Sequence, residues 1–189
     1  MNADDLADGD RTADLTETQA GWLSPSELES LRGLVPVIYV DAVPVRLDEQ
    51  GKVLEVGLLL RARPDGTVSR AVVSGRILYG ETVRQALLRH LAKDLGADAL
   101  PRLSPSPAPF TIVEYFPDPE TSGFHDPRQH AVSLAYVVPV DGLCQPAQDA
   151  LEFTWLTPEE ADSPEVRAEM TGGQDRLVRL ALAHAGCLA

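Results

Sequence analysis

The sequence predicts a mixed α/β fold built as a single layered domain, and three observations predict it. Three strand-like apolar runs come first, at 35–47, 53–62 and 67–73. A segment with apolar residues at four-residue intervals is inserted midway, at 81–95, and further strand-like runs precede a last amphipathic segment at 174–188. This order is not the strict strand–helix alternation of a doubly wound sheet. No G-x-G-x-x-G or G-x-x-x-x-G-K-[ST] loop is present to argue otherwise.

The first 20 residues carry Asp4, Asp5, Asp8, Asp10, Asp14 and Glu17 with few large apolar side chains. Such a segment cannot offset the entropy of ordering and reads as a flexible acidic tail. A single domain over 21–189 is expected to follow it. Ser24-Pro25-Ser26-Glu27 is a capping box with proline at the first helical position, so a short helix should run to about Gly33. VPVIYVDAVPVRL, VLEVGLLLRA and TVSRAVV then read as consecutive strands with tight connections at Glu49-Gln50-Gly51 and Pro64-Asp65-Gly66. Pro44 lacks a backbone donor, which predicts an edge or a bulge on its side of the first strand.

Glu81 to Leu95 places Val83, Leu87, Leu91 and Leu95 on one helical face, with Gly96 as the stop. After a loop punctuated by Pro101, Pro105, Pro107 and Pro109, FTIVEYF and HAVSLAYVVPV read as strands. PDPETSGFHDPRQ between them has the polarity of a loop over a ligand site. Phe153 to Leu156 is a last short strand, Thr157-Pro158-Glu159-Glu160 repeats the capping logic, and Gln174 to Leu188 is the final helix.

The chain has 189 residues, 44% of them apolar, which suffices for one ordinary core. Its 29 acidic and 16 basic residues give a net charge of -13. A surface of that sign repels nucleic acid and anionic lipid, although local arginines or a bound cation can reverse the field inside a pocket. No apolar run approaches the ~20 residues of a membrane span. Cys144 and Cys187 form no disulfide framework or metal spacing, and no leader-like start is seen, so a reducing cytoplasm is the expected location.

The chemistry concentrates in Ser74-Gly75-Arg76-Ile77-Leu78-Tyr79-Gly80-Glu81 and the run Arg89-His90-Leu91-Ala92-Lys93-Asp94-Leu95-Gly96-Ala97. Glu81 follows Gly75 after five residues and Arg89 follows Glu81 after seven, with Leu91 and Gly96 in step. This pattern resembles the Nudix box, G-x5-E-x7-R-E-U-x-E-E-x-G-U with U aliphatic, and the resemblance implies an α/β/α sandwich with a mixed β-sheet. In the box, carboxylates on one helix face hold divalent cations against a diphosphate. Here those positions are His90, Lys93 and Asp94, so a local charge of about -3 becomes about 0 near neutral pH. Two of the three metal-binding carboxylates are replaced, which makes this a degenerate Nudix box.

A second resemblance is to the GDP-mannose mannosyl hydrolases, Nudix relatives that also depart from the box. It rests on Gly75-Arg76-Ile77, Glu81-Thr82-Val83 and Asp94-Leu95-Gly96, and continues at Gln129-His130-Ala131-Val132-Ser133-Leu134 and Trp155-Leu156-Thr157-Pro158. It implies that Asp94 and the Gly75 carbonyl bind a metal, magnesium or manganese, and that Arg76 offsets diphosphate charge. Glu81 and Arg89 either pair across the box or face metal and diphosphate, and His90, one turn before Asp94, is a further metal candidate. The histidine that serves this subfamily shortly before W-L-T-P is missing from Gln148-Asp149-Ala150-Leu151-Glu152. Asp149 or Glu152 could substitute, and His125 or His130 could approach from the preceding loop as acid or base.

Two functions stay open. One is a hydrolase cleaving a nucleoside diphosphate linked to another moiety, a nucleotide-sugar being favoured. The other is a noncatalytic Nudix-fold module that binds a nucleotide or serves as an interaction domain. Either way the expected partner is a small nucleotide or nucleotide-sugar, with a homodimer suggested by the resemblance.

Overall fold

A computed structural model of the chain describes residues 22–62, 66–146 and 150–188. The expected tail at 1–20 and Asp149 lie outside these residues. The elements are α1 (Pro25–Arg32), β1 (Val37–Leu47), β2 (Val53–Ala62), β3 (Val68–Ala71), β4 (Val73–Arg76), α2 (Val83–Leu95), β5 (Thr111–Tyr115), β6 (Ala131–Pro139), β7 (Ala150–Leu156), α3 (Pro158–Ala161), α4 (Pro164–Ala168) and α5 (Gln174–His184). Among the described residues no helix is long and apolar enough to cross a membrane.

The seven strands form one mixed sheet of order β3-β2-β1-β6-β5, with β4 also pairing β1 and β7 also pairing β2. β1 and β6 run parallel from Val37↔Ala131 to Val45↔Pro139, and every other ladder is antiparallel. Successive side chains of a strand face opposite sides, so each strand feeds two cores. Val43, Val45 and Leu58 join Leu177, Val178 and Leu182 of α5 on one face. Val40, Ala42 and Leu59 join Leu87, Leu91 and Leu95 of α2 on the other. Each of those three leucines is at most 1% exposed, and burial of a leucine side chain contributes about 1.5–3 kcal/mol. The α/β/α sandwich with a mixed sheet is therefore the observed architecture.

Two expectations need correcting. β1 is an inner strand, so Pro44 is not at an edge; it is paired with Val138 in the parallel ladder. Proline is accommodated because β4 covers residues 39–42 and β2 covers 45–47, so that position 44 falls where the antiparallel partner changes. The run at 67–73 is not one strand either. It breaks after Ala71, β3 staying on β2 while β4 crosses to β1. That step carries Ser74, Gly75 and Arg76 onto the central strand beside α2.

Candidate functional site

Helix α2 begins at Val83, the first residue of its apolar spacing and two residues later than the expected start at Glu81. Thr82 is the N-cap, its hydroxyl accepting from the Gln85 amide while the Gln85 side chain accepts from the Thr82 amide. Glu81 therefore stands outside the helix, not in its first turn, and is free to reach along it. Arg89 donates to it twice, from Nε to Oε1 and from Nη2 to Oε2, both at 2.7 Å. The Leu78 amide donates to Oε2 at 3.0 Å. These bonds, led by Arg89, hold the Glu81 carboxyl below the usual range. Arg89 Nη2 also donates to the Arg76 carbonyl at 2.9 Å, and its guanidinium lies 5.7 Å from the Trp22 ring centroid. The pair thus ties the glycine loop to the helix.

His90 packs directly beneath that loop. It is only 6% exposed, and any Cβ at Gly75 would overlap its ring. This close approach explains the glycine. The Arg76 carbonyl can only accept, so Nε2, 3.0 Å away, is the protonated nitrogen and Nδ1 is buried without a hydrogen-bond partner among the described residues. Burial lowers the His90 pKa, so the ring is neutral at neutral pH. Asp94, one turn on and 1% exposed, receives Nη2 of Arg61 at 2.6 Å. Lys93 projects beside them, half-buried.

Gly75, Arg76, Arg89, His90 and Lys93 border a cavity of about 700 Å³. Its lining includes Arg61, Arg76, Arg89, Lys93 and Arg128, with Trp22 and Tyr39, and among the described residues contains no aspartate or glutamate. Three of the five cations have carboxylate partners: Arg61 with Asp94, Arg89 with Glu81, and Arg128 with Asp126. Arg76 and Lys93 make no ion pair among the described residues. An adjoining cavity of about 450 Å³ shares Tyr39, Ser74, Arg128 and Gln174 and extends toward Tyr115 and His125. Behind its wall lies Asp41, 1% exposed. Burial pushes the Asp41 carboxyl up, against the opposing effect of hydroxyls of Ser74, Ser133 and Tyr115, the last donating at 3.0 Å.

The fold thus brings Gly75, Arg76, Glu81, Arg89, His90 and Asp94 together around α2. It does not bring Glu152 or His130 to either cavity. Glu152 is exposed on β7 and accepts from the Thr154 hydroxyl at 2.8 Å. His130 stacks on Phe116 with ring centroids 4.4 Å apart. His125 borders the second cavity, with its Nε2 3.1 Å from the Pro117 carbonyl oxygen. Among the described residues, no three His, Cys, Asp or Glu side chains cluster as a metal would require. Arg61, Arg128, Trp22 and Gln174 were not legible as site residues. The only local signals were an arginine ending an apolar strand and another in the polar loop.

A family model described as "Domain of unknown function (DUF4916)" matches residues 18–187. The chain belongs to the DUF4916 family. A crystal structure from Jonesia denitrificans, described as that of a possible asymmetric diadenosine tetraphosphate (Ap(4)A) hydrolase, is 62% identical, with a TM-score of 0.81, covering 82% of this chain and 98% of that one. The Nudix domain of Shewanella oneidensis NrtR, complexed with ADP ribose, is 16% identical with a TM-score of 0.56, over 85% and 98% of the two chains. A bifunctional NMN adenylyltransferase/ADP ribose pyrophosphatase from Francisella tularensis, complexed with AMP and manganese, is 17% identical with a TM-score of 0.57, over 80% and 42%. No curated protein matches. This DUF4916 chain has the Nudix fold.

Proposed function

We propose that this DUF4916 chain binds a nucleoside di- or polyphosphate compound in the cavity along α2. The observation that carries the reading is the charge of that cavity. A chain of net charge -13 lines the cavity along α2 with four arginines and a lysine and, among the described residues, with no carboxylate. Such a local reversal of sign concentrates anions in a pocket while the rest of the surface repels them. Trp22, 46% exposed at the rim, offers a flat apolar surface on which a base could stack. The ADP ribose carried by one Nudix-fold structure is a compound of this class, and the AMP carried by another structure is its monophosphate counterpart.

Hydrolysis is the second reading. It is favoured by the Glu81–Arg89 pair and by the description of the Jonesia relative. The nucleotide-sugar preference and the homodimer rest on the GDP-mannose hydrolase resemblance alone. Calorimetric titration with ADP, ADP-ribose, GDP-mannose, diadenosine tetraphosphate and adenosine tests the binding reading. Phosphate-bearing ligands are expected to bind and adenosine is not; equal binding of adenosine and ADP, or none by any, overturns it. Chromatography of the same mixtures after incubation tests the second reading, because released nucleoside mono- or diphosphate identifies a hydrolase.

A further inference from the structure

The three helix positions that would hold a divalent cation in a Nudix box are differently committed here. His90 is buried, with Nε2 on the Arg76 carbonyl. Asp94 is buried and paired with Arg61 at 2.6 Å. Lys93 carries an ammonium, and Glu81 is held by both nitrogens of the Arg89 fork. A donor set of one sequestered carboxylate, one engaged imidazole and one ammonium does not fit a hard divalent cation, which seeks several exposed oxygens.

We propose that Lys93 and Arg76 take the place of that cation: their two positive charges hold the phosphate oxygens of the ligand directly, so that binding needs no metal. This rests on the binding reading above and adds what neutralises the ligand. The charges are available, since the other three lining cations have carboxylate partners and these two have none among the described residues. They are also placed. The Arg76 backbone is fixed through its carbonyl by Arg89 and His90, and Lys93 is held on a capped helix whose apolar face is buried. Both side chains are half-buried, so their substitution leaves the core intact.

The test is titration of ADP into the full chain, first with excess EDTA and then with magnesium or manganese at millimolar concentration. Binding in EDTA that metal does not strengthen is expected. Lys93→Gln and Arg76→Gln should each weaken it by about tenfold or more, the size of one charge-assisted hydrogen bond. Lys93→Arg, which keeps the charge, should bind within a few-fold of the parent, and all three variants should melt with the parent. Binding that appears only with metal, or that is indifferent to both glutamine variants in EDTA, overturns the metal-free site and leaves the binding reading standing. No binding of ADP under either condition removes both.

Discussion

Gly75→Ala tests whether the glycine loop rests on the His90 ring. The added methyl would overlap the ring of a residue only 6% exposed, so neither the β4 backbone nor the ring can yield without disturbing the β1–β4 ladder or the Arg76 carbonyl contact. Overpacking of this kind costs about 1–3 kcal/mol. In a domain of this size each kcal/mol shifts the midpoint by about 2–4 °C, giving a fall of about 2–12 °C. His90→Ala alone should also destabilise, through lost packing, while Arg89 still donates to the Arg76 carbonyl. Combined, the two changes should relieve each other, because the methyl then enters the space the ring leaves. The double variant should lie at least about 1 kcal/mol above the additive expectation, read by denaturant unfolding of all four proteins. A Gly75→Ala protein within about 0.5 kcal/mol of the parent, or a strictly additive cycle, would refute the contact.

Three further outcomes follow from the buried charges. Glu81→Gln should cost about 1.5–3 kcal/mol at neutral pH, by weakening charged hydrogen bonds to Arg89. Because the folded Glu81 pKa is depressed, the parent's advantage over this variant should persist above the ordinary glutamate range and vanish as pH falls through the folded value; a pH-independent difference would contradict the pairing. Asp41 has the opposite sign. Its folded pKa is raised by burial, so its contribution is full below the ordinary aspartate range and is lost as pH rises through the folded value. Asp41→Asn should therefore gain on the parent with rising pH, and chemical denaturation at several pH values that gave parallel profiles would sink this account.

Much of the sandwich was legible because its signals are local. Ser24 with Glu27, the four-residue apolar spacing of α2 and Gly96 each act within one or two turns of helix, and each is found in place. The Glu81–Arg89 pair was legible for the same reason, since the box spacing brings a residue just before the cap within reach of one two turns later. What escaped depended on long-range pairing. Nothing near Ala71 says that the chain will leave β2 for β1, and nothing near Pro44 says that two different partners will meet there. The cavity suffered most. Arg61, Arg128 and Gln174 come from β2, the loop after β5 and the start of α5, and only the folded sheet makes them neighbours. Lys93 was read as a charge that spoils a metal site; its place on the cavity wall supports giving it a task of its own.

The crossing of the chain from β3 to β4 has an evolutionary side. Along β4, Val73 and Gly75 face α2 while Ser74 and Arg76 take the alternate positions, and the change of partner strand occurs at the single residue Val72. Gaining or losing one residue at that junction would reverse every side chain of β4. Serine or arginine would then press on the His90 ring, and Gly75 would stand where the Arg76 guanidinium now lines the cavity. Length at this point is therefore as constrained as residue identity. Replacing side chains around the cavity leaves the facing of β4 intact, whereas an insertion or deletion within the short link that aims them does not.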